Sequence, residues 1–344
     1  MKKVLFATTA LVMTAGVAAA EVAVSGDARM GFIYDGDDLQ FSSRARVSFT
    51  ATGETDSGLS FGASFRVDQE NGIDGEGDIL NRSIDGLASQ GTAGSVYVSG
   101  TYGKLTMGDV VSATEKINGD LYSVGYTDGA FGGDLEEITY LTGDGVNLDQ
   151  GPNVLYEYSI NGFNIAASMS DGSRVTCAGA VYGSLGCDDA DLIADEDTDT
   201  AYSVAVGYDL NGYKLGLGYA DNGDASEIVL SGEASFNDFT VKGIYQDLSD
   251  VAADDGVSIM EYDRTFGFSA KYDMSNGVGV QAFWRRDEFT LTDIATGADV
   301  DDEFDSYGIG ASYDLGGGAT LAGGIMDSDY QEDAVADMGI KFTF

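Results

Sequence analysis

Four arginines stand at alternating positions in three successive segments near the start of the chain. They are Arg29, Arg44, Arg46 and Arg66, drawn from only 17 basic residues against 58 acidic ones. A guanidinium is permanently charged and presents a fixed fork of donors, so four together make a durable positive surface. A negative counter-surface follows in the segment 110–151, which carries Glu115, Asp120, Asp128, Asp134, Glu136, Glu137, Asp144 and Asp149 against Lys116 alone. If the two face each other across a narrow aqueous gap, they set up a transverse field that aligns polar solutes and slows apolar ones.

Other chemistries are poorly served. The chain has no histidine, which removes Ser-His nucleophilic catalysis and histidine-ligated zinc or haem, so an enzyme is not expected. A formal charge of −41 argues against nucleic acid, whose phosphates need clustered Lys and Arg. No cofactor is required by any motif. Dense carboxylates do suit a structural Ca²⁺, with Asp120, Asp128, Asp134, Glu136 and Asp144 as candidate ligands, although no EF-hand spacing is present. Cys177 and Cys187 share one small-residue loop, and in an oxidising compartment a local disulfide is expected there, worth roughly 3 kcal/mol.

The elements that must position these side chains are strands. From Glu21 to Phe344 short segments alternate apolar and polar residues, with Val278, Val280, Ala282 and Trp284 set against Gly279, Gln281, Phe283 and Arg285. No helical period competes. Sixteen strands are predicted, at 22–34, 40–52, 58–68, 93–100, 102–109, 152–160, 162–170, 199–209, 212–221, 226–236, 238–247, 261–273, 277–289, 304–314, 319–327 and 334–344. Tight turns such as Asn161-Gly162 and Asn211-Gly212 alternate with long loops at about 69–92, 110–151, 171–198, 248–260 and 290–303. One proline among 49 glycines fits continuous ladder pairing.

Sixteen such strands, with so charged a polar face, fit a barrel turned inside out, with lipid outside and water within. No apolar run reaches the length of a membrane-spanning helix beyond the leader, but a barrel needs only every second residue to face lipid. Register then fixes the arginines. With Met30, Phe32, Phe41, Val47, Phe61 and Phe65 toward lipid, Arg29, Arg44, Arg46 and Arg66 point inward; an arginine on the lipid face costs about 2–4 kcal/mol at mid-membrane. Pairing with Asp27 and Asp68 to brace the wall is the alternative use of these arginines; their clustering favours lining a pore. Lys2 and Lys3, an apolar stretch and Ala18-Ala19-Ala20 before Glu21 predict an export signal over 1–20, leaving 21–344 as one barrel domain with a constriction loop at 110–151.

The chain resembles the trimeric sixteen-stranded general-diffusion porins of the Rhodobacter type. The similarity rests on SGDARMGF at 25–32, FSSRARV at 41–47, TDSGLSFGASF at 55–65, GDLYSVGYTDG at 119–129, YLTGD at 140–144, AASMSDG at 166–172 and GIGASYDLGGGA with GGI over 308–325, and a last strand ending on Phe344 matches the assembly signal of such barrels. The resemblance implies a water-filled pore per subunit, a homotrimer, passive exchange of small hydrophilic solutes and ions, and an outer-membrane setting among lipid and lipopolysaccharide. It also implies that the third long loop folds inward. A substrate-specific channel with a discrete solute site is the alternative. A calcium-binding β-roll needs tandem Gly-Asp repeats, and none is present.

Overall fold

The computed structural model describes residues 21–73, 79–81, 94–142, 153–170, 173–177, 180–181, 192–197, 200–254 and 258–344. The predicted leader 1–20 lies outside them.

Sixteen antiparallel strands close on themselves. In chain order they are β1 (Glu21–Tyr34), β2 (Leu39–Glu54), β3 (Ser60–Ile73), β4 (Gly94–Gly100), β5 (Gly103–Gly108), β6 (Asn153–Ile160), β7 (Phe163–Ser170), β8 (Tyr202–Leu210), β9 (Tyr213–Asp221), β10 (Ser226–Phe236), β11 (Phe239–Asp254), β12 (Ser258–Asp273), β13 (Val278–Asp293), β14 (Ala298–Gly316), β15 (Ala319–Ser328) and β16 (Val335–Thr343). Each pairs with its sequence neighbours, and β1 pairs with β16, so the ring has no free edge. Gly26 and Phe344 exchange backbone hydrogen bonds of 2.7 and 2.9 Å across the seam. Closure satisfies every strand's backbone polar groups without water, which a hydrocarbon environment demands.

The strand faces are unlike. On β2, Phe41 is 84% exposed while the Arg44 side chain is 11% exposed. The same alternation leaves Val22, Val24, Met30 and Phe32 of β1, and Tyr213, Leu215 and Leu217 of β9, standing outward. Single-turn connections at one rim use left-handed backbone, with Asn161 and Asn211 at φ 52° and 46° before Gly162 and Gly212 at 85° and 92°. Asn and Gly tolerate that geometry at low cost, and it matches the strand twist of a hairpin.

Two expectations need correction. Segments 248–260 and 290–303, read as loops, are largely strand, because β11–β12 and β13–β14 run on as hairpins beyond the apolar band. The alternation continues there, with Leu291 facing Val300 between the Thr290–Asp301 and Thr292–Asp299 pairs, but Gly297 and the acidic run Asp299–Glu303 give the stretch the composition of a loop. Helix is also present, as α1 (Ala113–Asn118) and a 3₁₀ turn (Ala130–Gly132), both inside the third connection at the loop rim, between β5 and β6. Within 171–198 a small separate sheet forms from Ser173–Cys177, Ala180–Val181 and Leu192–Asp197. Cys187, the partner expected for Cys177, lies outside the described residues.

Candidate functional site

The connection between β5 and β6, the third at the loop rim, folds into the barrel and lies along its inner wall. Its first limb is α1, opened by Ser112, whose Oγ accepts from the Glu115 N–H at 3.1 Å, and closed by Gly119 at φ 53°. Ser112-x-x-Glu115 has the residue types of a capping box. The Ala113 N–H reaches Ser168 Oγ of β7 at 3.0 Å and Ser203 Oγ of β8 at 2.9 Å. Close approach depends on inward-facing glycines. A Cβ on Gly218 would sit 2.6 Å from Thr114 Cγ2, and one on Gly216 2.4 Å from Asn118 Oδ1.

Glu227 of β10 ties the two limbs of the loop together. Its Oε1 accepts from the Thr114 hydroxyl at 2.9 Å, and its Oε2 from the Leu141 N–H at 3.0 Å and from Gln246 Nε2 at 2.7 Å. Between the limbs, Leu121, Val124, Leu135, Ile138 and Tyr140 pack on Val229, Ile244, Phe283, Met326 and Val335 of the wall. The inner wall is therefore apolar where the loop seats, a departure from the uniformly polar lumen that strand alternation suggests. Burial of this cluster is what holds a largely irregular segment in place.

The loop tip crosses to the seam of the barrel. Asp337 of β16 accepts from the Tyr126 N–H at 3.0 Å and, through Oδ2, from the Thr127 N–H at 2.8 Å and hydroxyl at 2.5 Å. Arg29 donates to the Thr127 carbonyl. Lys341 Nζ lies 2.5 Å from Asp128 Oδ1. A cavity of ≈ 390 Å³ opens beside this contact, lined by Arg29, Arg44, Arg46, Lys341, Asp27 and Asp128 among others. Three of the four sequence-identified arginines thus share one space with a loop carboxylate, and Arg44 also contacts Asp27 at 3.3 Å. Arg66 points inward on β3, opposite Ser48, and does not line that cavity.

The loop acids divide. Among the described loop acids, Asp128 is the one that lines the arginine cavity. Asp120 lies on the other side, accepting from the Ile138 N–H at 2.9 Å near Lys242 and Arg285; burial raises its pKa against those three influences. Glu136 is 2% exposed, its carboxyl pressed over Gly129, and desolvation together with Asp134, Glu137 and Asp120 pushes its pKa up to about 8. Glu137 is exposed and its carbonyl, with that of Leu135, receives Arg285 Nη1. Glu115 and Asp134 are half-buried. The acids from Glu115 to Glu137 stand one to eight residues apart in a largely irregular segment, which has no period that fixes their sides. Among the described residues no three carboxylates gather as a metal-ligand set, and Asp144 lies outside them.

Several positioning residues escaped the sequence reading. Asp337 and Lys341 were findable, since Met338, Ile340 and Phe342 outward forces both inward. Glu227, Ser168, Ser203 and Arg285 follow the same parity, but nothing in the sequence says which stretch of loop each will meet.

A closed sixteen-stranded barrel with an apolar exterior, a charged lumen and an inward loop defines a membrane channel of the bacterial outer-membrane type. The Gram-negative porin family matches residues 7–333. The chain is 39% identical to a porin of Rhodobacter capsulatus over 348 residues, covering 94% of this chain and 100% of that protein. It is 27% identical to a porin of Fuscovulum blasticum over 340 residues, again covering 94% and 100%. Among solved structures, a porin refined at 1.8 Å resolution superposes with a TM-score of 0.69 at 36% identity, covering 94% of this chain and all of the other. A mutant Rh. blastica porin, at 21% identity and TM-score 0.60, shares the fold. The chain belongs to the Gram-negative porin family and forms a channel in the outer membrane.

Proposed function

We propose that this channel is a general-diffusion pore whose narrow section is a charged eyelet, with Arg29, Arg44 and Arg46 on the barrel wall and Asp128 on the internal loop. The observation that carries this reading is their shared cavity of ≈ 390 Å³, in which fixed cations and a carboxylate face the same space. Low-dielectric walls concentrate the field between opposed charges, so polar solutes align and pass while apolar ones must displace oriented water. Selectivity then comes from width and lining charge. Three copies assemble in a bilayer of lipid and lipopolysaccharide, as the family resemblance implies, with the outward apolar band in contact with acyl chains.

Proteoliposome swelling tests the diffusion reading. Influx of small neutral sugars is expected to rise linearly with concentration and to fall smoothly with solute size. Saturating, solute-selective influx contradicts it and favours a channel with a discrete solute site.

A further inference from the structure

One turn at the loop rim is tied directly to the internal loop. It joins β15 to β16 over 329–334. Gln331 Nε2 donates to the Gly132 carbonyl at 2.6 Å, reaching the 3₁₀ turn of a loop 199 residues earlier in the chain. The neighbouring Tyr330 reaches the same loop by a relay. Its hydroxyl donates to Asp287 Oδ2 at 3.0 Å, and Asp287 accepts from Arg285 Nε at 3.1 Å and Nη2 at 2.9 Å. Arg285 Nη1 in turn donates to the Leu135 and Glu137 carbonyls. Thr265 completes the set, its hydroxyl 2.6 Å from Asp287 Oδ1. A buried carboxylate bonded through both oxygens keeps one orientation, and it gives the guanidinium one as well.

The outer end of this linkage is stiff. The Asp329 N–H donates to the Asp305 carbonyl at 2.9 Å, and Asp329 Oδ2 accepts from the Asp305 N–H at 2.8 Å. Ser328 accepts from the Tyr330 N–H through Oγ at 3.2 Å and from the Gln331 N–H through its carbonyl at 3.0 Å. The Tyr330 ring packs edge-on against Phe304 at 4.6 Å, and Phe304 against Phe289 at 4.7 Å. On the flanking strands, Met326 and Val335 belong to the apolar cluster that seats the loop. Glu332 and Asp333 stand exposed at the tip. Two other turns of this rim close on themselves instead. Asp35 accepts the Asp37 and Asp38 N–H groups, and Asn222 those of Asp224 and Ala225.

We infer that the surface turn 329–334 positions the internal loop from outside the membrane, with Tyr330 and Gln331 as the positioning residues, and that a load on the turn is transmitted to residues 132–137. This rests on the reading of the lumen as a pore narrowed by that loop. The loop rim of an outer-membrane barrel faces the cell exterior, so the turn is the accessible end of the linkage. Beyond its 3₁₀ turn the segment 132–137 is irregular, and its place is set by what it bonds to. One direct hydrogen bond and one relay through Asp287 and Arg285 form a contiguous path from turn to loop. Displacing the turn by about 1 Å either carries the loop along or stretches these contacts past hydrogen-bond length.

The test places a load on the turn of the full-length protein. A hexahistidine inserted between Glu332 and Asp333 is bound by an anti-hexahistidine Fab fragment, which the absence of native histidine makes specific. The Fab is expected to raise open-channel current noise and to speed amide hydrogen exchange over 132–137 at least about fivefold, the factor for one lost hydrogen bond. With Tyr330→Phe/Gln331→Ala added, the Fab still binds and neither readout responds to it. The same insertion between Asn222 and Gly223 gives no response either, which separates transmission from simple obstruction of the mouth. Without any insertion, Tyr330→Phe/Gln331→Ala should by itself speed exchange over 132–137 by a similar factor and leave β1 and β2 unchanged. No Fab effect with the linkage intact, an equal effect in the doubly substituted protein, or unchanged exchange in that protein without the insertion overturns the inference. Absence of any conductance overturns the pore reading instead, and the exchange measurements still decide the coupling.

Discussion

Asp337 and Thr127 are joined twice, the carboxylate Oδ2 accepting both the backbone N–H and the hydroxyl of Thr127 at 2.8 and 2.5 Å. This contact links the final strand to the tip of a loop 210 residues earlier, and Asp337 also takes the Tyr126 N–H. Replacing Asp337 by Ala strands two buried amide donors. A cost of about 3 kcal/mol to loop docking is expected, at 1–3 kcal/mol per unsatisfied group. Limited proteolysis of detergent-solubilised protein should cut the 124–133 region faster, and open-channel current noise should increase.

The glycine floor gives a steric counterpart. Gly310 and Gly324 leave only 2.9 and 2.8 Å between an added Cβ and the Gly125 backbone nitrogen. Gly310→Val should lift the tip without touching any charged group. Single-channel conductance and the size limit for neutral sugars are both expected to rise, whereas an outward-facing control, Ile309→Val, leaves them unchanged.

Glu136 makes the loop sensitive to pH. Its pKa is raised from 4.5 to about 8 in the folded state, so the docked loop holds a proton that an undocked loop releases. Stability of docking is therefore greatest below about pH 4.5 and declines as pH rises through about 8, where the buried carboxyl ionises beside Asp134, Glu137 and Asp120. Asp120, also raised by burial, adds a slope of the same sign. Amide hydrogen exchange over 119–140, corrected for the intrinsic pH effect, should show falling protection across this window. Glu136→Gln should flatten most of the slope.

Much of the barrel is legible in the chain because one physical pattern repeats. Outward Phe41 beside inward Arg44 is forced by lipid on one side and water on the other, and that pressure sets all sixteen strands. Acidic, turn-like composition masks the pattern beyond that band, as around Thr290 and Asp301, where Leu291 still faces Val300, and there strand was read as loop. The site is half legible. Arg29, Arg44 and Arg46 follow from parity, but the division of Asp128 from Asp120 and Glu136 depends on how an irregular segment packs. The signal for α1 was present at Ser112 and Glu115; six residues are too few to show a helical period beside it.

The reversal potential in a salt gradient bears most directly on the central claim, that the arginine wall and the loop bound one passage from opposite sides. Arg44→Gln/Arg46→Gln is predicted to shift it toward greater cation preference, and Asp128→Asn to shift it the other way. Unchanged potentials in both variants, or shifts of the same sign, contradict the account.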